Sequence, residues 1–556
     1  MISDGIELHT RDPLQDTAVA RDGMKPKPSF WRAWIIAFLP FVVVGIAWSV
    51  AQPIFAGADE QEHAYQSEAV WSGQFLPPLT LKAGSQLESG VEHVPVFAVG
   101  ASCFYASHAV SAKCDTTSLT GTARAGPIAN YVSREPPLPA LLTGLPFSLA
   151  PNRTGFYLSR FLTSVLGAAL LATAIALACS RRRPVLLMGV LIAATPSFIA
   201  EFGALGSSQL EIGSALVLWV CVTLVVTDGP VTATIAGIMT GSLVLLLLSR
   251  PASFVYAGVA LLVLLSCAGR TRLRRLSSLT WFWPMLAVVA VILLVALWWL
   301  VFAEAPANPN YLKDNHLPHI ASWAGRISFS LGYESDFWAQ MIGATGNNEY
   351  SGPAWVAILW TMLAGGFVLP GVLLATRRRA AAIGGLLVVL LVLPVAAQAY
   401  YVSTVYLTWM GRYDTPVFVG LIVFAAGAIE GRLPRPEVKR LLLLGIATVA
   451  LLQVMEFAGT LHRYVVGTNG PLNPLGWARG WHPPQIGALP LLCVGSAVIL
   501  GAYGGMWYLG RSAMASDASP PCVPESPAQK NVSATGAAPG GTAGSGAAPA
   551  SPYGTI

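Results

Sequence analysis

Charge is scarce in this chain. Asp, Glu, Lys and Arg make up 11% of its 556 residues, against about 25% in ordinary soluble domains, while 54% of the residues are hydrophobic. That scarcity excludes a large soluble core and predicts one polytopic membrane domain with elaborated loops. A basic tract of the kind that holds nucleic acid is missing, so the net charge of +6 matters through its placement: Lys and Arg beside spans set orientation, and Asp and Glu contribute little. Ionisable residues near mid-span are also few, which tells against a transporter, whose paths need them or paired broken helices at the bilayer centre. Of the seven cysteines, Cys179, Cys221, Cys267, Cys493 and Cys522 lie in apolar runs or the tail and read as apolar filler.

What is present is a series of long apolar runs. Crossings are expected near 33–51, 154–179, 184–200, 209–227, 231–249, 252–268, 281–303, 353–375, 381–400, 413–430, 441–459 and 486–509. The stretch from Pro136 to Ala150 is apolar but short and broken by prolines, which suits a re-entrant or interfacial segment. Counting it as a crossing would put Arg181, Arg182 and Arg183 outside, against the positive-inside rule. Without it, twelve crossings place those arginines, Arg270 to Arg275, Arg377 to Arg379 and Arg432 to Arg440 on the cytoplasmic side, with both termini. The expected layout is a polar cytoplasmic tail over 1–32, a membrane domain over 33–510 with external loops 52–135, 304–352 and 461–485, and a cytoplasmic tail over 511–556. The first run is too long for a signal-peptide core and reads as a retained anchor. The last segment is rich in Ala, Gly, Pro and Ser and is expected to be disordered.

The first external loop opens on Pro53-Ile54-Phe55-Ala56-Gly57-Ala58-Asp59-Glu60-Gln61-Glu62-His63. If this winds into a helix, Asp59 and His63 share a face, with Glu60 beside them and Glu62 turned away. A carboxylate and an imidazole are then placed to act together at the outer membrane surface. Gln61 to Ser72 can form a short helix along the interface, with Tyr65, Ala69 and Trp71 available to lipid or protein. Cys103 and Cys114 share this otherwise weakly structured loop, and an oxidising compartment would join them. Arg412, in Trp409-Met410-Gly411-Arg412-Tyr413-Asp414, stands at the outer end of a span. Its guanidinium can clamp a phosphate; equally, it can snorkel to water or pair with Asp414. Arg160 and Arg250 lie near the same face and add to the case for holding anionic head groups there.

As a set, Ala58-Asp59-Glu60-Gln61-Glu62-His63, Arg134-Glu135-Pro136-Pro137-Leu138-Pro139, Leu248-Ser249-Arg250-Pro251, Gly411-Arg412-Tyr413, Arg463-Tyr464-Val465-Val466-Gly467 and Trp481-His482-Pro483-Pro484 resemble the bacterial membrane family called domain of unknown function 2142. The resemblance runs from about Ala33 to Gly510 and departs from many relatives at Leu138-Pro139 and Ser207-Ser208. The family's layout is similar to that of the GT-C glycosyltransferases. It implies an all-α integral membrane fold of about 12 spanning helices, with a large first extracytoplasmic loop, in the bacterial plasma membrane. It further implies a polyprenyl-phosphate sugar donor and a lipid or glycan acceptor in cell-envelope synthesis. Carried over, Asp59 is the base that deprotonates the acceptor hydroxyl, its pKa raised at the rim of a low-dielectric cavity. Glu60 and His63 orient it, Arg412, Arg250 and Arg160 hold the donor phosphate, and Glu135 and Tyr413 line the substrate pocket. Some relatives in that wider class need a divalent metal ion, but the ligand set here names no metal site. The competing classes are a transporter or flippase of lipid-linked sugars and a non-catalytic partner in envelope assembly. The gathering of charge at one face favours interfacial chemistry over passage.

Overall fold

In lipid every backbone polar group has to be satisfied within its own segment, so long uncharged runs become helices. A computed structural model describes residues 29–514 except 101, 106, 121–123, 229–230, 347–351 and 485; nearly all of both expected tails lies outside the described residues. Among the described residues, eight helices are long and apolar enough to cross a bilayer: Phe30–Ala51, Arg153–Ser180, Ser208–Thr227, Phe282–Ala303, Ala354–Leu374, Arg377–Val405, Arg435–Val466 and Ala488–Met514. This is a multi-pass membrane protein.

The other four expected crossings are helical but not straight spans. Pro184–Ala193 and Pro196–Gly203 meet at 71°, because the residue before a proline is driven out of the α region. Ser253–Ala268 and Arg270–Ser277 meet at 111° around Gly269, whose φ of +71° suits glycine. Counting each bent pair as one span gives up to ten. Ala233–Leu247 and Thr415–Ile429 have 15 residues each, about 22 Å of helix against a hydrocarbon core of about 30 Å. Helix lengths therefore support eight to ten spans, and the expected twelve is not reached by that measure.

Thr415–Ile429 is buried on every side, so its unbroken hydrophobicity reflects protein packing rather than lipid contact. It lies against Ser208–Thr227, where Trp219 donates to the Pro416 carbonyl at 3.1 Å. A Cβ at Gly420 would come within 2.2 Å of the same indole, so glycine is what permits that approach. Phe282–Trp298 is the opposite case, with no buried residue.

The chain after the first helix is better ordered than its composition suggests. Glycine and proline hide a three-stranded antiparallel sheet, β1 Leu79–Thr80, β2 Ser89–Pro95 and β3 Ala125–Asn130, in the order β1-β2-β3. The expected all-α fold thus carries a small β element in its loop. Cys103 and Cys114 are joined there, with Cα atoms 6.1 Å apart. The expected interfacial helix forms over Glu60–Trp71, but it is roofed by protein: Tyr65 and Ala69 are buried, and Tyr65 stacks on Phe97. Trp71 alone among the three named residues is exposed. The loop is tied to the segment after Ala303 by Glu88 N–H donating to the Pro306 carbonyl and Asn308 N–H to that of Gln86, each at 2.9 Å.

Candidate functional site

The first helix ends at Ala51, and the chain then turns through Phe55 and Asp59, both with positive φ, before the helix that begins at Glu60. A left-handed Asp is tolerated better than most residues. Asp59 forms a salt bridge through Oδ2 with Arg412 Nη2, and its Oδ1 accepts from the Tyr131 hydroxyl at 2.6 Å. Tyr131 directly follows β3, so the loop sheet delivers this contact. Arg412 sits in the short turn Gly411–Tyr413. That turn presses so closely on Glu334–Gly343 that a Cβ at Gly411 would lie 2.0 Å from the Phe337 carbonyl oxygen.

Arg250 joins the group from another element. Its Nε donates to Ser207 Oγ at 2.7 Å. Its guanidinium carbon lies 5.2 Å from the Tyr413 ring centroid, and that of Arg412 lies 5.3 Å from the same ring. Arg412 Nη2 also reaches the Tyr413 hydroxyl at 3.4 Å, whereas its Nε and Nη1 are buried with no hydrogen-bond partner among the described residues. Asp414 is not the partner of Arg412: its oxygens accept from Trp409 Nε1 at 3.1 and 3.2 Å. Asp59, Arg412, Arg250 and Tyr413 thus form one cluster. Glu135 adds its field to Arg250 and to the buried His63, and one of its carboxyl oxygens is buried with no partner among the described residues.

The electrostatics reverse one expectation. Burial by itself would raise the Asp59 carboxyl, but Arg412, the Tyr131 hydrogen bond, His63 and Arg250 outweigh it and hold the pKa at about 2. Asp59 is therefore ionised, and in this arrangement it is a weak base rather than the strengthened one anticipated. Burial lowers His63, keeping its imidazole neutral near pH 7. Glu62, expected to turn away, lies within the field of Asp59; burial and then that charge push it up to about 7. A carboxyl whose folded pKa is raised binds its proton more tightly in the folded than in the unfolded state, so stability falls as pH rises from about 4.5 through about 7. Glu62→Gln is expected to remove that fall, leaving the variant with a higher melting temperature than the parent at pH 8 and little difference at pH 5. Parallel melting curves at the two pH values check it.

Two residues leave the candidate set. Arg160, expected to bind phosphate, and Glu60, expected to orient Asp59, are wholly buried against each other at 2.6 Å. The remaining Arg160 donors go to the carbonyls of Ser49, Gln52 and Pro53. No donor is left for a ligand, and the pair serves to hold the Pro53–Glu60 turn on the helix Arg153–Ser180. Tyr131 is not marked in the sequence, since a lone tyrosine in a polar loop carries no periodicity or motif; Ser207 stands out there only as a departure from relatives, and Glu62 only as a residue turned away. Nor do the carboxylates build a cation cage: among the described residues no three His, Cys, Asp or Glu side chains converge on a metal position, and both Asp59 oxygens are engaged.

No protein of curated function matches the chain in sequence. Among solved structures it is similar to ArnT from Cupriavidus metallidurans bound to undecaprenyl phosphate, with 13% identity, a TM-score of 0.38, and coverage of 85% of this chain and 77% of that one. It is similar to the apo state of the same protein at 14% identity and a TM-score of 0.38, covering 85% of this chain and 76% of that one. The model of the family described as predicted membrane protein (DUF2142) matches residues 41–421. That match takes in well over half of the chain, together with Asp59, Arg250 and Arg412, and the protein belongs to the DUF2142 family of membrane proteins.

Proposed function

We propose that this protein is a membrane glycosyltransferase that takes its sugar from a polyprenyl-phosphate donor. The acceptor is a lipid or glycan on the extracytoplasmic face of the bacterial plasma membrane, in cell-envelope synthesis. The observation that carries the reading is Arg412: one nitrogen holds Asp59, and two more are buried with no partner among the described residues. Buried cationic donors left unsatisfied are costly, and a phosphate oxygen is the acceptor that matches a guanidinium fork. Arg250, on the same tyrosine ring, supplies a second charge. The resemblance of the family's layout to GT-C enzymes supplies the substrate class.

In this reading the acceptor oxygen attacks the anomeric carbon as its proton passes to Asp59. The bond from that carbon to the phosphate oxygen breaks, and the electron pair leaves with the polyprenyl phosphate, whose charge Arg412 and Arg250 share. An Asp59 held at about 2 by Arg412 accepts a proton poorly. A donor phosphate that draws Arg412 toward itself weakens that hold, so donor binding and activation of the base are coupled. Tyr131 keeps one oxygen oriented throughout.

The test is turnover of a panel of polyprenyl-phosphate sugars by purified protein in detergent, scored for transfer and for hydrolysis. Transport needs two compartments and chemistry does not, so release of sugar under these conditions separates the enzyme from a flippase. Arg412→Lys keeps the charge but loses the planar fork, and the expected loss in kcat/KM is about 10- to 100-fold, the equivalent of one charge-assisted hydrogen bond. Equal rates for parent and Arg412→Lys across the panel would remove the phosphate role.

A further inference from the structure

Away from Asp59, the helix Ser253–Ala268 turns at Gly269 into Arg270–Ser277. Arg250 stands just before the first of these, and 16 residues of helix place the turn about 24 Å from it, at the other end of the bundle from the candidate site. A cavity of about 850 Å³ opens there, with Arg270, Arg272, Arg275 and Arg378 on its polar side and Val226 and Leu276 among its apolar walls. A second, of about 500 Å³, shares Arg270 and Arg275 and adds Arg274.

The arginines are not equivalent. Arg272 is spent on the backbone, donating to the carbonyls of Val225 and Asp228. Arg270, Arg274, Arg275 and Arg378 are exposed, and none pairs with a carboxylate among the described residues. The acid in this region, Asp228, is engaged by Arg183 and Arg181. Setting orientation requires basic residues near span ends; it does not require a cavity walled by them. The apolar side of the cavity and its neighbour define the ligand further. Phe282–Trp298 buries none of its residues and adjoins the turn through Trp283, whose indole donates to the Ser277 carbonyl at 3.1 Å. A hydrocarbon chain can therefore lie along that helix while its head group enters the basic cavity.

We infer that the cavity at the Arg270–Ser277 turn binds the phosphate head group of an anionic phospholipid, away from and independent of the candidate active site. Basic pockets between spanning helices hold such head groups through charge and phosphate hydrogen bonds. A free phosphate compound shares the head-group chemistry but has no use for the apolar wall.

The experiment is native mass spectrometry of the delipidated full chain in detergent, titrated with phosphatidylglycerol, cardiolipin or phosphatidylcholine, and separately with inorganic diphosphate. The two anionic lipids are expected to be retained in preference to phosphatidylcholine. Retention should be roughly 100-fold weaker in a variant carrying Arg270→Gln, Arg275→Gln and Arg378→Gln, and unaltered by Lys439→Gln with Arg440→Gln, which change basic residues elsewhere. Equal retention by the triple variant overturns the assignment, and binding of diphosphate without preference for anionic lipid overturns its lipid part. Should the triple variant fail to fold, the quenching of Trp283 by bromine-labelled acyl chains, taken as the difference between the parent and Trp283→Phe, decides: stronger quenching by phosphatidylglycerol than by phosphatidylcholine supports the site, and equal quenching overturns it.

Discussion

Asp59→Asn is expected to lower sugar transfer by about 100-fold or more, the usual cost of losing a general base, while the protein still folds. The amide retains an oxygen that can accept from Tyr131 or Arg412, so the shape and part of the hydrogen bonding survive, but the proton acceptor does not. The folded-state cost is not zero, because the substitution leaves the Arg412 charge, buried at 2% exposure, without its counter-ion, and an uncompensated buried charge costs about 3–5 kcal/mol when its partner is removed. Rates are therefore to be taken per folded molecule, with a melting curve on the same preparation. Asp59→Glu, which keeps the charge at a longer reach, should recover part of the stability and less of the rate. A fully active Asp59→Asn would exclude the carboxylate from the chemistry, and the site would then have to be read as an ion pair that holds the loop.

The second large effect is structural and falls one residue away. Arg160→Met is expected to destabilise the protein by about 3–5 kcal/mol and to lower its accumulation in membranes. Glu60 would keep its carboxylate in a buried site and lose its counter-charge. It would retain only the N–H groups of Gly57 at 3.0 Å and Leu205 at 2.8 Å. The carbonyls of Ser49, Gln52 and Pro53 would lose a donor as well. Met fills similar volume, so the deficit measures the charge and the hydrogen bonds rather than a cavity. Thermal unfolding in detergent checks it. An unchanged melting temperature with a lost rate would return Glu60 and Arg160 to the catalytic machinery.

Adjacent acids that look alike in sequence thus do different work. Asp59 and Glu60 stand side by side in one motif, and nothing in the spacing separates them. Asp59 meets Arg412, 353 residues away, and Glu60 meets Arg160, 100 residues away. The same limit hid Glu62: helical spacing turns it from the face of Asp59 and His63, but the left-handed backbone at Asp59 means that residue is not itself a helical position. Tyr131 was hidden for another reason. It reaches Asp59 only because β3 pairs with β2, and that pairing is built from Gly, Pro and short strands that carry no alternating pattern.

What the sequence by itself determined is the membrane, the position of the apolar helices and the end of the bundle where acids and arginines gather. These follow from local physics: too little charge for a soluble surface, and runs that leave backbone groups no partner except helix. The shared loop of Cys103 and Cys114 was equally legible. The tertiary structure alone decided which guanidinium meets which carboxylate, which apolar helix is buried core rather than lipid-facing, and on which side of its ordinary value each carboxyl sits. Pairing across hundreds of residues depends on how the helices pack, and a pKa is the sum of burial and every nearby charge. In Asp59 those terms oppose each other, and only the placement of Arg412 and Tyr131 shows which one wins.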